Sequence, residues 1–98
     1  MQAHLEAHGI GQFAVQGELD FDTIEVLWRE ARIKFGKQPF LRIDLGGVRR
    51  ADSAGVALLV EWLREAKAQS QELCFVNVPA QMLAIIRVTG LEDLLPLR

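Results

Sequence analysis

Residues 40–63 read Phe40-Leu41-Arg42-Ile43-Asp44-Leu45-Gly46-Gly47-Val48-Arg49-Arg50-Ala51-Asp52-Ser53-Ala54-Gly55-Val56-Ala57-Leu58-Leu59-Val60-Glu61-Trp62-Leu63. Phe40–Leu45 is a strand, too apolar to sit at a sheet edge with both faces wet. Gly46–Asp52 reads as a loop. From Ser53 the period changes: Val56, Leu59, Val60 and Leu63 stand at i, i+3, i+4 and i+7, the inward face of a helix running to about Gln69. A buried strand feeding directly into an amphipathic helix is half of a crossover unit.

The flanking sequence repeats the alternation. Upstream, Phe13-Ala14-Val15-Gln16-Gly17 reads as a strand, paired through the turn His8-Gly9-Ile10-Gly11 with another around residues 3–7. A helix follows with Ile24, Leu27, Trp28, Ala31 and Phe35 on its inward side and Gly36 ending it. Asp22 with Glu25 three positions on resembles a capping box at its start. Downstream, Leu73–Val78 is another buried strand, and Pro79 opens a helix carrying Met82, Leu83, Ile85 and Ile86, closed by Gly90. Residues 91–97 form a short terminal turn laid back on the core. The expected fold is α/β: one domain over residues 1–98, about four strands in a mixed sheet with an antiparallel N-terminal hairpin. Three main helices are expected to cover mainly one face.

Composition narrows the function classes. Half of the 98 residues are apolar and 24% are charged, ordinary for a globular domain. A net charge of −2 offers no basic excess for nucleic acid or anionic lipid, so neither is an expected partner. The lone cysteine, Cys74, fits a reducing compartment and an inert place in a buried strand. The first eleven residues lack the basic and apolar regions of a signal peptide. No apolar run approaches the roughly 20 residues that span a bilayer, so a cytoplasmic location without direct membrane insertion is expected.

The chemistry-bearing segment is Asp52-Ser53-Ala54-Gly55, where the chain enters the second helix. Ser53 there either caps the free backbone N–H groups or offers a hydroxyl for contact or phosphorylation, and spacing does not choose between them. Asp52 suits orientation of its own loop through backbone hydrogen bonds. Asp44 sits at a strand end with no histidine or lysine beside it and reads as structural. His4 and His8 have i, i+4 spacing but lie in a strand, without further ligands, so no metal is expected. No glycine-rich phosphate loop or nucleophile elbow occurs, so no cofactor and no catalytic residue is assigned.

The order and spacing of Gly17-Glu18-Leu19-Asp20, Ile43-Asp44-Leu45, Ala51-Asp52-Ser53-Ala54-Gly55-Val56-Ala57-Leu58-Leu59 and the terminal Leu91-x-x-Leu94-Leu95-Pro96-Leu97 resemble the STAS domain family from end to end. The resemblance implies a four-stranded sheet with helices and a protein-binding surface around Asp52-Ser53. In the anti-sigma factor antagonists of the family, the hydroxyl residue aligned with Ser53 is the phosphorylation site. Those antagonists typically read Asp-Ser-Ser/Thr-Gly-Leu-Gly, and this chain lacks the second hydroxyl and second glycine. Its turn, Trp28 and the Leu-Pro-Leu ending look closer to the small STAS subunits of Mla-type lipid-transport ABC systems. That branch implies docking on the cytoplasmic ATPase subunit, with its permease, at the inner membrane. The antagonist branch implies an anti-sigma factor kinase instead. The expected partner surface comprises Asp52, Ser53, Ala54, Val56, Ala57, Leu58 and Trp62, with Arg49 and Arg50 beside it. Leu58 and Trp62 form a ridge off the core centre, unless the terminal turn or first helix covers them.

Overall fold

The computed structural model describes residues 2–98. Strands β1 (Ala3–Gly9), β2 (Gln12–Leu19), β3 (Phe40–Ala51) and β4 (Glu72–Val76) alternate with helices α1 (Ile24–Phe35), α2 (Ser53–Ala68) and α3 (Ala80–Val88). The strands lie in one mixed sheet in the order β1-β2-β3-β4. β1 and β2 form the expected antiparallel hairpin, whereas β3 runs parallel to both β2 and β4. Parallel neighbours need a long return path, and α1 and α2 supply it.

Alternation along β3 separates the two faces of the sheet. Leu41, Ile43 and Leu45 are buried beneath the helices, while Arg42 is exposed on the other face. His4, Glu6, Gln12 and Gln16 continue that polar outer face across β1 and β2. The helical layer therefore covers one face, as expected. The core joins Leu5, Val15 and Leu19 to Leu27, Leu59, Trp62, Phe75, Met82 and Ile86.

Two boundaries differ from the sequence reading. Residues 46–51 belong to β3 and are not a loop, because Gly47, Val48, Arg50 and Ala51 pair with Gln16, Gly17, Glu18 and Leu19. Their pairing partners lie 31 or 32 residues away, so local glycine content misled. One register shift opens this stretch and a second interrupts it next to Gly17, whose φ of 103° a side chain adopts only with strain. Likewise Glu18 and Leu19 complete β2 before α1 begins. The Asp22–Glu25 capping box does not form. Instead Asp20 Oδ1 accepts from the backbone N–H of Asp22 at 2.9 Å and of Thr23 at 3.1 Å. Thr23 is the cap residue, and its buried hydroxyl donates to the Glu18 carbonyl at 2.7 Å.

The tail runs beside β4. Residues 91–95 make a single turn, Leu95 is buried, and Leu97 forms a parallel bridge with Phe75. Phe75 N–H donates to the Pro96 carbonyl at 2.9 Å, and Arg98 N–H donates to the Phe75 carbonyl at 2.8 Å.

Candidate functional site

The end of β3 hands the chain to α2 through one residue. Asp52 is extended and exposed, and its Oδ1 accepts from Ala54 N–H at 2.8 Å. Asp52 is thus the helix cap, and Ser53 is the first helical residue instead of the cap. The Ser53 side chain is exposed and makes no hydrogen bond to another described residue. Ala57 and Glu61 follow it at four-residue steps, so Ser53, Ala57 and Glu61 form one outward stripe along α2.

Four residues expected on the partner surface face inward. Ala54 is 4% exposed, Val56 2%, Leu58 4% and Trp62 2%. The reason is the position of α2, which is the middle helix of its layer. It packs on β3 and β4 below and is flanked by α1 on one side and α3 on the other. A helix bounded on three sides buries an arc wider than a single stripe, so the Leu58–Trp62 ridge belongs to the core. Gly55 is also buried, and its smallness serves this packing and not a partner: a Cβ there would stand 2.8 Å from the Leu19 Cβ and 3.1 Å from the Leu19 carbonyl oxygen. Arg49 and Arg50 remain exposed, on the last turn-free residues of β3.

Beside the Ser53 stripe, α1 and α2 border an apolar groove of about 350 Å³, lined by Ile24, Glu25 and Trp28 from α1 and Ala57, Leu58 and Glu61 from α2. Ile24 and Trp28 were expected to face the core, yet both are only half-buried. Trp28 is held in place by the Arg32 guanidinium 4.9 Å from its ring centroid. Three residues before Ile24, Phe21 is 77% exposed. An apolar groove continuous with an exposed helix corner is a surface suited to a protein partner. The helical spacing of Ile24 and Trp28 carried no sign of this, because the edge of a buried arc and its centre share the same period.

Asp52 itself lines a smaller polar notch together with Glu18, Leu19, Asp20, Arg50, Ala51 and Gln81. The remaining candidates stay apart from both features. Asp44 accepts from Gly46 N–H at 2.7 Å and from Asn77 Nδ2 at 3.2 Å, closing the middle of β3 against the residue after β4. His8 Nε2 lies 3.1 Å from Glu6 Oε1 on the outer sheet face, and among the described residues no group of three histidine, cysteine or acidic side chains could hold a metal ion. Cys74 is buried. Among the same residues no helix is long and apolar enough to cross a membrane.

The sequence and the fold have relatives among known proteins. The family described as "Mlab, STAS domain" matches residues 4–96. The intermembrane phospholipid transport system binding protein MlaB of Escherichia coli is 34% identical over 86 residues, covering 85% of this chain and 84% of that protein. The protein of the same name from Shigella flexneri matches to the same extent. Among solved structures, an anti-sigma factor antagonist from Mycobacterium paratuberculosis superposes with a TM-score of 0.78 at 26% identity, over 97% of this chain and 82% of its own. With a match that spans nearly every element and a relative one-third identical, the chain belongs to the MlaB-type STAS domain family.

Proposed function

We propose that this chain is the non-catalytic STAS subunit of an Mla-type phospholipid-transport ABC system. In this reading it binds the cytoplasmic ATPase subunit, supports assembly and activity of the ATPase–permease complex, and so helps maintain outer-membrane lipid asymmetry. Its location would be cytoplasmic, peripheral to the inner membrane through its partner. The observation that carries the reading is the 34% identity to a phospholipid transport system binding protein over most of both chains. The surface agrees with it: Ser53 and Ala57 present small side chains next to an apolar groove, which lets a partner backbone approach closely. Activity would then arise by occupancy, with this chain adding a rigid face to the ATPase and no chemistry of its own.

A second reading, an anti-sigma factor antagonist switched at Ser53, draws on the likeness to the mycobacterial antagonist and on the exposed, unbonded Ser53 hydroxyl. A phosphate there would sit at the N-terminus of a 16-residue helix, where backbone donors and the helix dipole favour negative charge.

The test is affinity capture of the tagged chain from its native cells, run in parallel with the Ala57→Arg variant. Recovery of an ABC ATPase with its permease by the parent chain, and loss of both by Ala57→Arg at an unchanged melting temperature, is the expected result. Recovery of a serine kinase and phosphate on Ser53 would move the chain to the second reading.

A further inference from the structure

The two edges of the sheet are finished differently. On β4 the tail satisfies the backbone of Phe75, whereas β1 has no neighbouring strand on its outer side among the described residues. Glu18 N–H donates to the Gln2 carbonyl at 3.3 Å, which fixes the phase of the hairpin. Gln2, His4 and Glu6 turn their backbone groups toward β2, so Ala3, Leu5 and Ala7 turn theirs outward. The Lys34 side chain agrees with this direction, since its Nζ donates to the Leu5 carbonyl at 2.6 Å. Among the described residues no other hydrogen bond reaches the outward row.

Beside this edge, α1 is apolar where it meets solvent. One flank of the helix faces α2 through Trp28 and Arg32. The other faces β1: Lys34 reaches the Leu5 carbonyl, and Glu30 pairs with Lys34 at 3.3 Å. Val26 lies one turn before Glu30 and Ile33 one turn after it, so both extend the β1 flank. They are 52% and 82% exposed. An open strand edge beside an exposed apolar pair is the kind of surface that protein contacts cover.

We propose that β1 pairs antiparallel with β1 of a second copy, about a two-fold axis through Leu5, with the two α1 flanks meeting beside it. The strand's own sequence selects a second copy. Antiparallel pairing centred on Leu5 sets Ala3 against Ala7 and His4 against Glu6 across the interface. The outward residues 3, 5 and 7 then form the hydrogen-bonded pairs, each exchanging both backbone bonds. Lys34 takes one lone pair of the Leu5 carbonyl and leaves the other for the second strand. His4 and Glu6 fall on the intervening pairs, where side chains approach most closely and an imidazole N–H meets a carboxylate. Glu6 has an oxygen to offer: His8 and Gln16 both bond to its Oε1, and Oε2 has no partner among the described residues. Ala3 and Ala7 put no bulk in the way. The axis stands perpendicular to the sheet and runs the two α1 helices antiparallel, so the Val26 end of one meets the Ile33 end of the other. The α1–α2 groove, on the other flank of α1, stays free.

The experiment is analytical ultracentrifugation of the purified full chain over a concentration series. The parent is expected to show a reversible monomer–dimer equilibrium in the micromolar range; a monomer up to near-millimolar concentration overturns the inference. His4→Glu sets like charges opposite each other in both symmetric pairs and should weaken dimerisation at least about tenfold, and adding Glu6→Lys should restore it. Ile33→Arg, at an exposed position, should weaken it to a similar degree with an unchanged melting curve. A dimer indifferent to both His4→Glu and Ile33→Arg forms elsewhere, and the inference fails. Register is read by mixing His4→Cys and Glu6→Cys chains under mild oxidation: disulfides between unlike chains support the pairing, and disulfides only between like chains overturn it. Ala57→Arg should dimerise as the parent does. Loss of the dimer in that variant would move the contact to the α1–α2 groove and overturn the inference, whereas a dimer that fails to capture the ATPase leaves it standing and counts against the docking reading alone.

Discussion

The indole of Trp62 meets the Phe35 ring edge-on with 5.5 Å between centroids, and Phe35 meets Phe13 in the same way at 4.9 Å. This aromatic column ties α2 to α1 and to β2, and each contact adds to the area that the rings bury. Replacing Trp62 with alanine is therefore expected to cost about 3–5 kcal/mol of stability, measured as a lower urea midpoint, and to abolish partner capture only by unfolding the chain. Ala57→Arg should do the reverse, since Ala57 is exposed. The contrast locates what could be read from residues alone. That Met82, Ile86 and Leu59 lie inside follows from their period, and they do. That Leu58 and Trp62 lie inside does not, because it depends on α1 and α3 flanking α2, which no local pattern records.

At the scale of elements, the type and order of all four strands and three helices were legible, because each has its own period or a clear punctuation by glycine or proline. Boundaries were not. β3 runs on to Ala51 through Gly46-Gly47 because β2 pairs with it, and α1 starts later than expected because Asp20, not Asp22, gathers the free N–H groups. The start of α2 was placed near Ser53, with Ser53 as the candidate cap and Asp52 orienting its own loop. The structure gives the cap to Asp52, and the two make different predictions. Asp52→Ala should cost about 1 kcal/mol and speed amide exchange at Ala54, while Ser53→Ala should leave both nearly unchanged. Hydrogen exchange resolved to single amides checks this. A loss of stability confined to Ser53→Ala would return the cap to the serine.

For the whole molecule, the asymmetry of the sheet organises everything else. Helices occupy one face, polar side chains line the other, and the proposed docking corner stands where β2 and β3 end and α2 begins. The last three residues complete this plan from the far side, where Pro96 and Arg98 satisfy both backbone groups of Phe75 on the outermost strand. Without them, β4 would present a row of open donors and acceptors along an apolar segment, Leu73-Cys74-Phe75-Val76. Such an edge is a template for another chain. The tail thus acts as a selvedge that keeps the sheet from growing sideways. A chain ending at Leu95 is expected to keep its far-ultraviolet circular dichroism at first, yet to scatter light progressively as concentration rises. A deletion that scatters no more light than the full chain at high concentration would show that the border is held by other means.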